Sequence, residues 1–305
     1  MASNLVARAN NAININGNTV NGVTADIAIT THGSDLYFAI CSAMGFAGFT
    51  FIALAFRKKR RDRLFHYITA AVVFVACIAY FTMGSNLGFV PIAVEFPRNN
   101  PVVRGNLREI FYVRYIDWFI TTPLLLLDLL LTAGMPWPTI LWIILVDEIM
   151  IVTGLIGALV VSRYKFAYFT IGCVALFYIV YVLVFEARRH ALRYGPEVNR
   201  CFTMCGSMTT VLWILYPVAW GLCEGGNVIS PDSEAIFYSV LDFIAKPIFG
   251  ALLIYGHRNI DPASIGMDIM DYEGDAVVRE KRAPNAPLDG PAHTNGTDGV
   301  NGNHV

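Results

Sequence analysis

Residues 110–131 read Ile110-Phe111-Tyr112-Val113-Arg114-Tyr115-Ile116-Asp117-Trp118-Phe119-Ile120-Thr121-Thr122-Pro123-Leu124-Leu125-Leu126-Leu127-Asp128-Leu129-Leu130-Leu131. A membrane helix needs roughly 20 apolar residues to cross about 30 Å of hydrocarbon, and this run is long enough in spite of its three charges. Runs of similar length flank it: Leu36–Phe56 and Leu64–Met83 before, then Pro138–Val161, Phe166–Phe185, Cys201–Cys223 and Ala235–Gly256. So many such runs cannot all be core helices of a soluble domain of this size. The expected fold class is an all-α membrane protein, a seven-transmembrane-helix bundle.

The rest of the chain agrees. Of 305 residues, 55% are hydrophobic and 15% charged, against about 25% charged in soluble domains, and the mean hydropathy is +0.53. A formal net charge of −1 offers no bulk attraction to phosphate, so nucleic acid is not an expected partner. Cys41, Cys77, Cys173, Cys201, Cys205 and Cys223 all fall within the apolar runs without zinc or CxxC spacing. They read as small packing residues, and no metal site is expected. The chain reads as one domain with no internal repeat: an Asn-rich N-terminal tail over 1–35, the bundle over 36–256, and a disordered tail over 257–305 that carries the sequon Asn295-Gly296-Thr297. Phe89–Phe96 and Pro101–Val103, around Arg98-Asn99-Asn100, read as a short hairpin.

Orientation follows from basic residues in short loops. Arg57-Lys58-Lys59-Arg60-Arg61-Asp62-Arg63 joins the first two runs, and Arg188, Arg189, Arg193 and Arg200 lie between the fifth and sixth. Both loops fall on one side of an odd-numbered bundle, so that side is expected to be cytoplasmic, with the C-terminal tail on it and the N-terminal tail extracellular. Arg98, Arg104, Arg108, Arg163 and Lys165 dilute the bias from the other side.

Ionisable groups inside a span are expensive and mark function. Arg114, Asp117 and Thr121 share a helix face, and Asp128 returns to nearly that face about 16 Å further along. In the seventh run Asp242 and Lys246 are spaced i,i+4, and a lysine in mid-span suits Schiff-base chemistry. Arg114, Asp117, Asp242 and Lys246 make an electrically neutral set. Asp128 and Asp147 have no basic residue left to pair with; burial without a partner favours the neutral acid, so both are expected to be protonated at rest. Glu148, about 100° round the helix from Asp147, faces lipid or a neighbouring subunit. Trp213, Tyr216, Pro217 and Trp220 give the sixth run a stripe of large rings, with Pro217 a candidate kink. Together with Tyr115 and Trp118 they could box a flat apolar ligand attached to Lys246.

The motifs R-Y-I-D-W-x-x-T-T-P-L-L-L-L-D from Arg114, W-x-x-Y-P-x-x-W from Trp213 and L-D-x-x-A-K from Leu241 closely resemble those of the microbial rhodopsins. The match is to the bacteriorhodopsin-like proton pumps of the fungal branch, and it covers roughly residues 36–256. The resemblance implies all-trans retinal on Lys246 as a protonated Schiff base, within a multi-pass protein of the plasma membrane. It implies Asp117 as counterion and proton acceptor, Asp242 as second counterion, Asp128 as cytoplasmic donor and Arg114 as a group that swings toward the exit. Glu224 and Glu234 match the release pair, although Glu224 stands one residue nearer Trp220 than in the best-known pump. Tyr80 and Tyr216 match tyrosines bonded around the counterions, Thr121 the threonine on the acceptor and Thr69 the one beside the donor. Trp118, Thr122, Leu125, Met150, Gly154, Trp213 and Trp220 would line the pocket, with Asp147 near the ring end. Gly172 stands where many pumps have serine, and Tyr168 and Phe169 replace two tryptophans. Pro247, directly after the lysine, removes a backbone N–H and should distort the seventh helix.

With the N-terminus outside, Asp117 is extracellular to Asp128, so a proton leaving Lys246 for Asp117 and replaced from Asp128 moves outward. A chloride pump needs a neutral residue at 117, a sodium pump of the known type needs Asn-Asp-Gln at 117, 121 and 128, and a channel favours acids in Leu64–Met83, which has none. No separate nucleophile–base pair supports an enzyme. The competing reading is a slow-cycling photosensor with a signalling partner; homo-oligomerisation stays open.

Overall fold

The computed structural model describes residues 10–267; expectations for 1–9 and 268–305, the Asn295 sequon and most of the C-terminal tail among them, lie outside these. Each apolar run becomes a helix: α1 Thr31–Ala55, α2 Leu64–Gly84, α3 Tyr112–Thr132, α4 Trp137–Leu159, α5 Lys165–Arg193, α6 Pro196–Gly225 and α7 Pro231–Asn259. Large apolar side chains such as Phe46, Phe49, Ile78, Leu141, Val174, Phe177 and Val211 point outward. That inverts soluble-protein patterning and suits a hydrocarbon solvent. The chain is therefore an integral membrane protein, and lipid is its environment.

Three helices depart from α geometry. Turns with i→i+5 spacing occupy Val182–Ala187 in α5, Gly221–Gly225 in α6 and Ile244–Ile248 in α7. The last holds Lys246 and Pro247, where the missing proline N–H led to the expectation of a distortion. In α6 the chain stays α-helical from Pro217 to Trp220 and opens only after it.

The connections at the end where α1 begins, here the N-terminal end, are more structured than expected. Residues 10–30, expected as part of an Asn-rich tail, form a helical turn, Ala12–Asn16, and a hairpin of β1 (Thr19–Val20) and β2 (Val23–Thr24). Asn21 and Gly22 turn that hairpin at positive φ, as Asn-Gly does. The hairpin after α2 pairs β3 (Val90–Ala93) with β4 (Leu107–Ile110). Its first strand lies where expected; the second is not Pro101–Val103, because β4 hides two charged residues that are buried rather than solvated. Ile27 bridges to Arg108 beside this sheet. At the opposite end, residues 257–267 are not the start of a loose tail: they form turns at His257–Asn259 and Pro262–Ile265, with Ile260 and Ile265 buried.

Thr30 ties the N-terminal segment to α7, donating from its N–H and Oγ1 to the two carboxylate oxygens of Asp232 at 2.8 and 2.6 Å. Gly33 makes room for this contact, since a Cβ there would lie 2.5 Å from Asp232 Oδ1. Asp232→Ala removes both bonds and should cost about 1–3 kcal/mol. The expected readouts are a lower thermal midpoint and faster proteolysis within residues 10–30.

Candidate functional site

Lys246 is 2% exposed at mid-length of α7. Its Nζ lies 2.5 Å from Asp117 Oδ2 and 3.1 Å from Asp242 Oδ2. A buried ammonium is tolerable only when paired and hydrogen-bonded, and α3 and α7 supply one carboxylate each. The two carboxylates are unequal. Asp242 also accepts from Tyr80 Oη at 2.9 Å, Tyr216 Oη at 2.6 Å and Trp118 Nε1 at 3.4 Å, so both its oxygens are satisfied. Asp117 Oδ1 is buried with no partner among the described residues. Thr121 does not bond that oxygen: its hydroxyl donates to the Asp117 backbone carbonyl at 2.8 Å, the local bond open to any helical threonine.

Beside Lys246 lies a cavity lined by Tyr115, Trp118, Thr122, Leu125, Met150, Gly154, Gly172, Trp213, Tyr216 and Trp220, with Ile151, Phe169, Cys173, Leu176, Pro217 and Ala245. Phe169 stacks on Trp220 at 4.8 Å, and Trp118 meets Tyr216 edge-on at 5.3 Å. A long, flat, apolar molecule fits this lining, and the amine at the cavity wall could hold it covalently. Asp147 does not line the cavity: it is buried behind Thr122, whose hydroxyl donates to it at 2.7 Å. Glu148 is half-buried, with one oxygen unpartnered.

Asp128 is fully buried, and neither carboxylate oxygen has a partner among the described residues. Leu125, Leu126, Leu129 and Leu130 belong to the same core. Thr69, which matches the threonine beside the donor, donates to the carbonyls of Phe65 and His66. Beyond Asp128, Thr132 Oγ1 donates to the Asp128 carbonyl at 2.6 Å and lies 3.2 Å from His257 Nε2.

The expected four-charge set divides. Arg114 turns away from Lys246 to the N-terminal end, where Nη1 meets Glu234 at 2.6 Å and Glu224 at 3.5 Å. Its Nη2 donates to Tyr37 Oη at 3.0 Å, and its guanidinium lies over the Tyr238 ring. Tyr115 and Tyr238 hydroxyls each donate to Glu224 at 3.1 Å. The widened turn at Gly221–Gly225 carries Glu224 into this cluster although its spacing from Trp220 is short.

Arg108, Glu109, Lys165, Tyr37 and Tyr238 belong here too, and the sequence reading assigned none of them to it. Arg108 donates to Glu234 Oε2 at 2.7 Å and the Ile229 carbonyl at 2.9 Å. Lys165 donates to the Glu224 carbonyl at 2.7 Å. Glu109 accepts from the Ile29 N–H at 2.8 Å, and burial pushes its carboxyl up to about 8. Arg108, Glu109 and Lys165 adjoin apolar runs, and a charge there reads as solvated until tertiary pairing is seen.

A seven-helix membrane protein with a buried lysine between two aspartates and a long aromatic cavity is the class that fold and site define. A family model described as bacteriorhodopsin-like protein matches residues 32–260. The chain is 65% identical over 273 residues to the opsin-like protein carO of Fusarium fujikuroi, covering 90% of this chain and 89% of that protein. Among solved structures, the light-driven proton pump LR (Mac) of Leptosphaeria maculans is 35% identical with a TM-score of 0.72, over 77% of this chain and 100% of that one. The light-driven proton pump rhodopsin CsR of Coccomyxa subellipsoidea is 37% identical with a TM-score of 0.71, over 76% and 99%. The chain belongs to the bacteriorhodopsin-like family of microbial rhodopsins. Proteins of this family generally bind retinal through a lysine Schiff base.

Arg108→Gln would leave Glu234 one arginine short in a buried site. The expected cost is about 3 kcal/mol or more, seen as loss of helical signal at lower temperature than in the parent protein.

Proposed function

We propose that the chain is a light-driven outward proton pump with retinal on Lys246, working as a transporter rather than an enzyme. The observation that carries this reading is the unequal pair of carboxylates flanking Lys246 Nζ. Bound to Lys246 as a protonated Schiff base, all-trans retinal would supply light absorption and an isomerisation that reorients the charge at Nζ. Trp118, Trp213, Tyr216, Trp220, Leu125 and Met150 would hold it, and Gly154 and Gly172 leave it room.

Asp242, with a donor on each oxygen, orients the site. Asp117, with one oxygen unpartnered among the described residues and the other 2.5 Å from Nζ, takes the proton. Asp128 lies eleven residues along α3, in apolar surroundings that hold a carboxylic acid more cheaply than a carboxylate, and supplies the replacement. Arg114, Glu224 and Glu234 form the charged cluster that feels Asp117 become neutral. Asp147 acts on the cavity only through Thr122.

Outward direction rests on the basic end of the bundle facing the cytoplasm. Arg57, Lys58, Lys59, Arg60 and Arg61 are exposed there. Burial of Arg108 and Lys165 in contacts at the other end removes two charges that weighed against this orientation. We place the protein in the plasma membrane on the same reading.

Cells expressing the chain with retinal should acidify the medium in light, and a protonophore should abolish the effect. Lys246→Ala should be colourless and inert. Alkalinisation would overturn the direction, and a slow photocycle with no pH change would favour a photosensor. Asp128→Asn should retain colour but slow recovery after a flash by about 100-fold or more, the usual contribution of a placed proton donor.

A further inference from the structure

The charges buried at the N-terminal end leave one acid unaccounted for. Glu234 receives an arginine on each oxygen, Arg114 at 2.6 Å and Arg108 at 2.7 Å. Glu224 receives a tyrosine hydroxyl on each oxygen and lies 3.5 Å from Arg114. Two guanidinium groups face two carboxyl groups there, and each of the four carboxyl oxygens has a donor. Glu109 is different. It is 1% exposed, and no ion pair involves it among the described residues. Among the described residues its Oε2 accepts the Ile29 N–H alone, and its Oε1 is buried without a partner. An unpaired charge in such a place costs far more than a neutral carboxyl.

We propose that Glu109, rather than the Glu224–Glu234 pair, holds the proton that this end of the protein gives up to the medium. This rests on the pump reading above. The groups whose charge acts on Glu109 are Arg108 on its own strand, Glu234 and Asp232 on the first turn of α7, and Tyr37 on α1. The N-terminal segment covers it with backbone: the Glu109 N–H donates to the Ile27 carbonyl, and Asp26 is engaged by the Leu107 N–H. Arg114 joins Glu109 to the lysine site, because Glu234 sits between Arg114 and Arg108. When Asp117 takes a proton, one negative charge disappears three residues from Arg114. The excess positive potential falls on the arginine pair and expels the proton from the neighbouring neutral acid. The Glu109 O–H bond breaks, its electron pair stays on the carboxylate, and the proton passes to water at the bundle end.

The sign of the pH dependence follows from a carboxyl held up to about 8. Below that pH Glu109 carries a proton to release; above it the proton is already gone. The full chain with retinal, in vesicles, should show an early proton release after a flash that fades as pH rises through about 8. Glu109→Gln keeps an acceptor for the Ile29 N–H but cannot ionise, so the early release and its pH dependence should vanish, and Glu109→Asp should restore both. Glu95→Gln, at an exposed ion pair with Arg98 in the same loop, is the control and should behave as wild type. A second readout needs neither light nor colour. In the Lys246→Ala protein, the infrared carbonyl band of a carboxylic acid should titrate near pH 8 and be absent when Glu109→Gln is added. Wild-type release timing and pH profile in Glu109→Gln, or persistence of that band, overturns the assignment. If the wild type moves no protons, the pump reading fails, while the dark titration still decides whether Glu109 holds the proton.

Discussion

The structure depends on one buried cation, the Lys246 ammonium, held by Asp117 and Asp242 near the middle of a membrane helix. Neither pairing suffices alone, because a charge removed from water needs both an opposite charge and hydrogen bonds for the remaining polar atoms. Two further helices contribute to meeting that need, and α3 contributes again: Tyr80 from α2, Trp118 from α3 and Tyr216 from α6 all converge on Asp242. The same rings form one wall of the cavity or stand beside it. Electrostatic satisfaction of Asp242 and shaping of the ligand space are thus one construction, and Asp117 is left as the carboxylate with unused capacity.

A second charged layer lies toward the N-terminal end, and it is built largely by segments outside the spans. Arg108 and Glu109 come from a hairpin strand, and residues 26–30 close over that strand. Arg114 is the hinge between the layers: it shares α3 with Asp117 but spends its donors on Glu234 and Tyr37. A change of charge at Asp117 therefore reaches the N-terminal end through packed, buried groups, where dielectric screening is weak.

The seven spans, the distortion at Pro247 and the meeting of Lys246 with Asp117 and Asp242 were legible in the sequence, for a common reason. In hydrocarbon the backbone must be helical, and a charge on a known helical face has few places to go. The layer at the N-terminal end was not legible, because Arg108, Glu109 and Lys165 adjoin apolar runs and look solvated in any one-dimensional reading. Hydroxyl partners were also hidden. Thr69 and Thr121 can always satisfy a carbonyl of their own helix, and both do. The family resemblance places Asp147 near the ring end of the pocket but does not show that Thr122 stands in front of it.

Transport in one direction requires that the two sides of the lysine differ, and they do. Toward the N-terminal end, Asp117, Arg114, Glu234, Arg108 and Glu109 succeed one another in buried polar contact or close range. Toward the other end Asp128 stands among leucines with both oxygens unpartnered, and no hydrogen bond connects it to Lys246 among the described residues. A channel would be connected on both sides at once. Here the resting protein is polar on one side and sealed by packed apolar side chains on the other. The widened turn at Ile244–Ile248 lies at Lys246 itself, between the two sides, and that at Gly221–Gly225 lies on the polar side with Glu224, so neither interrupts the apolar packing around Asp128.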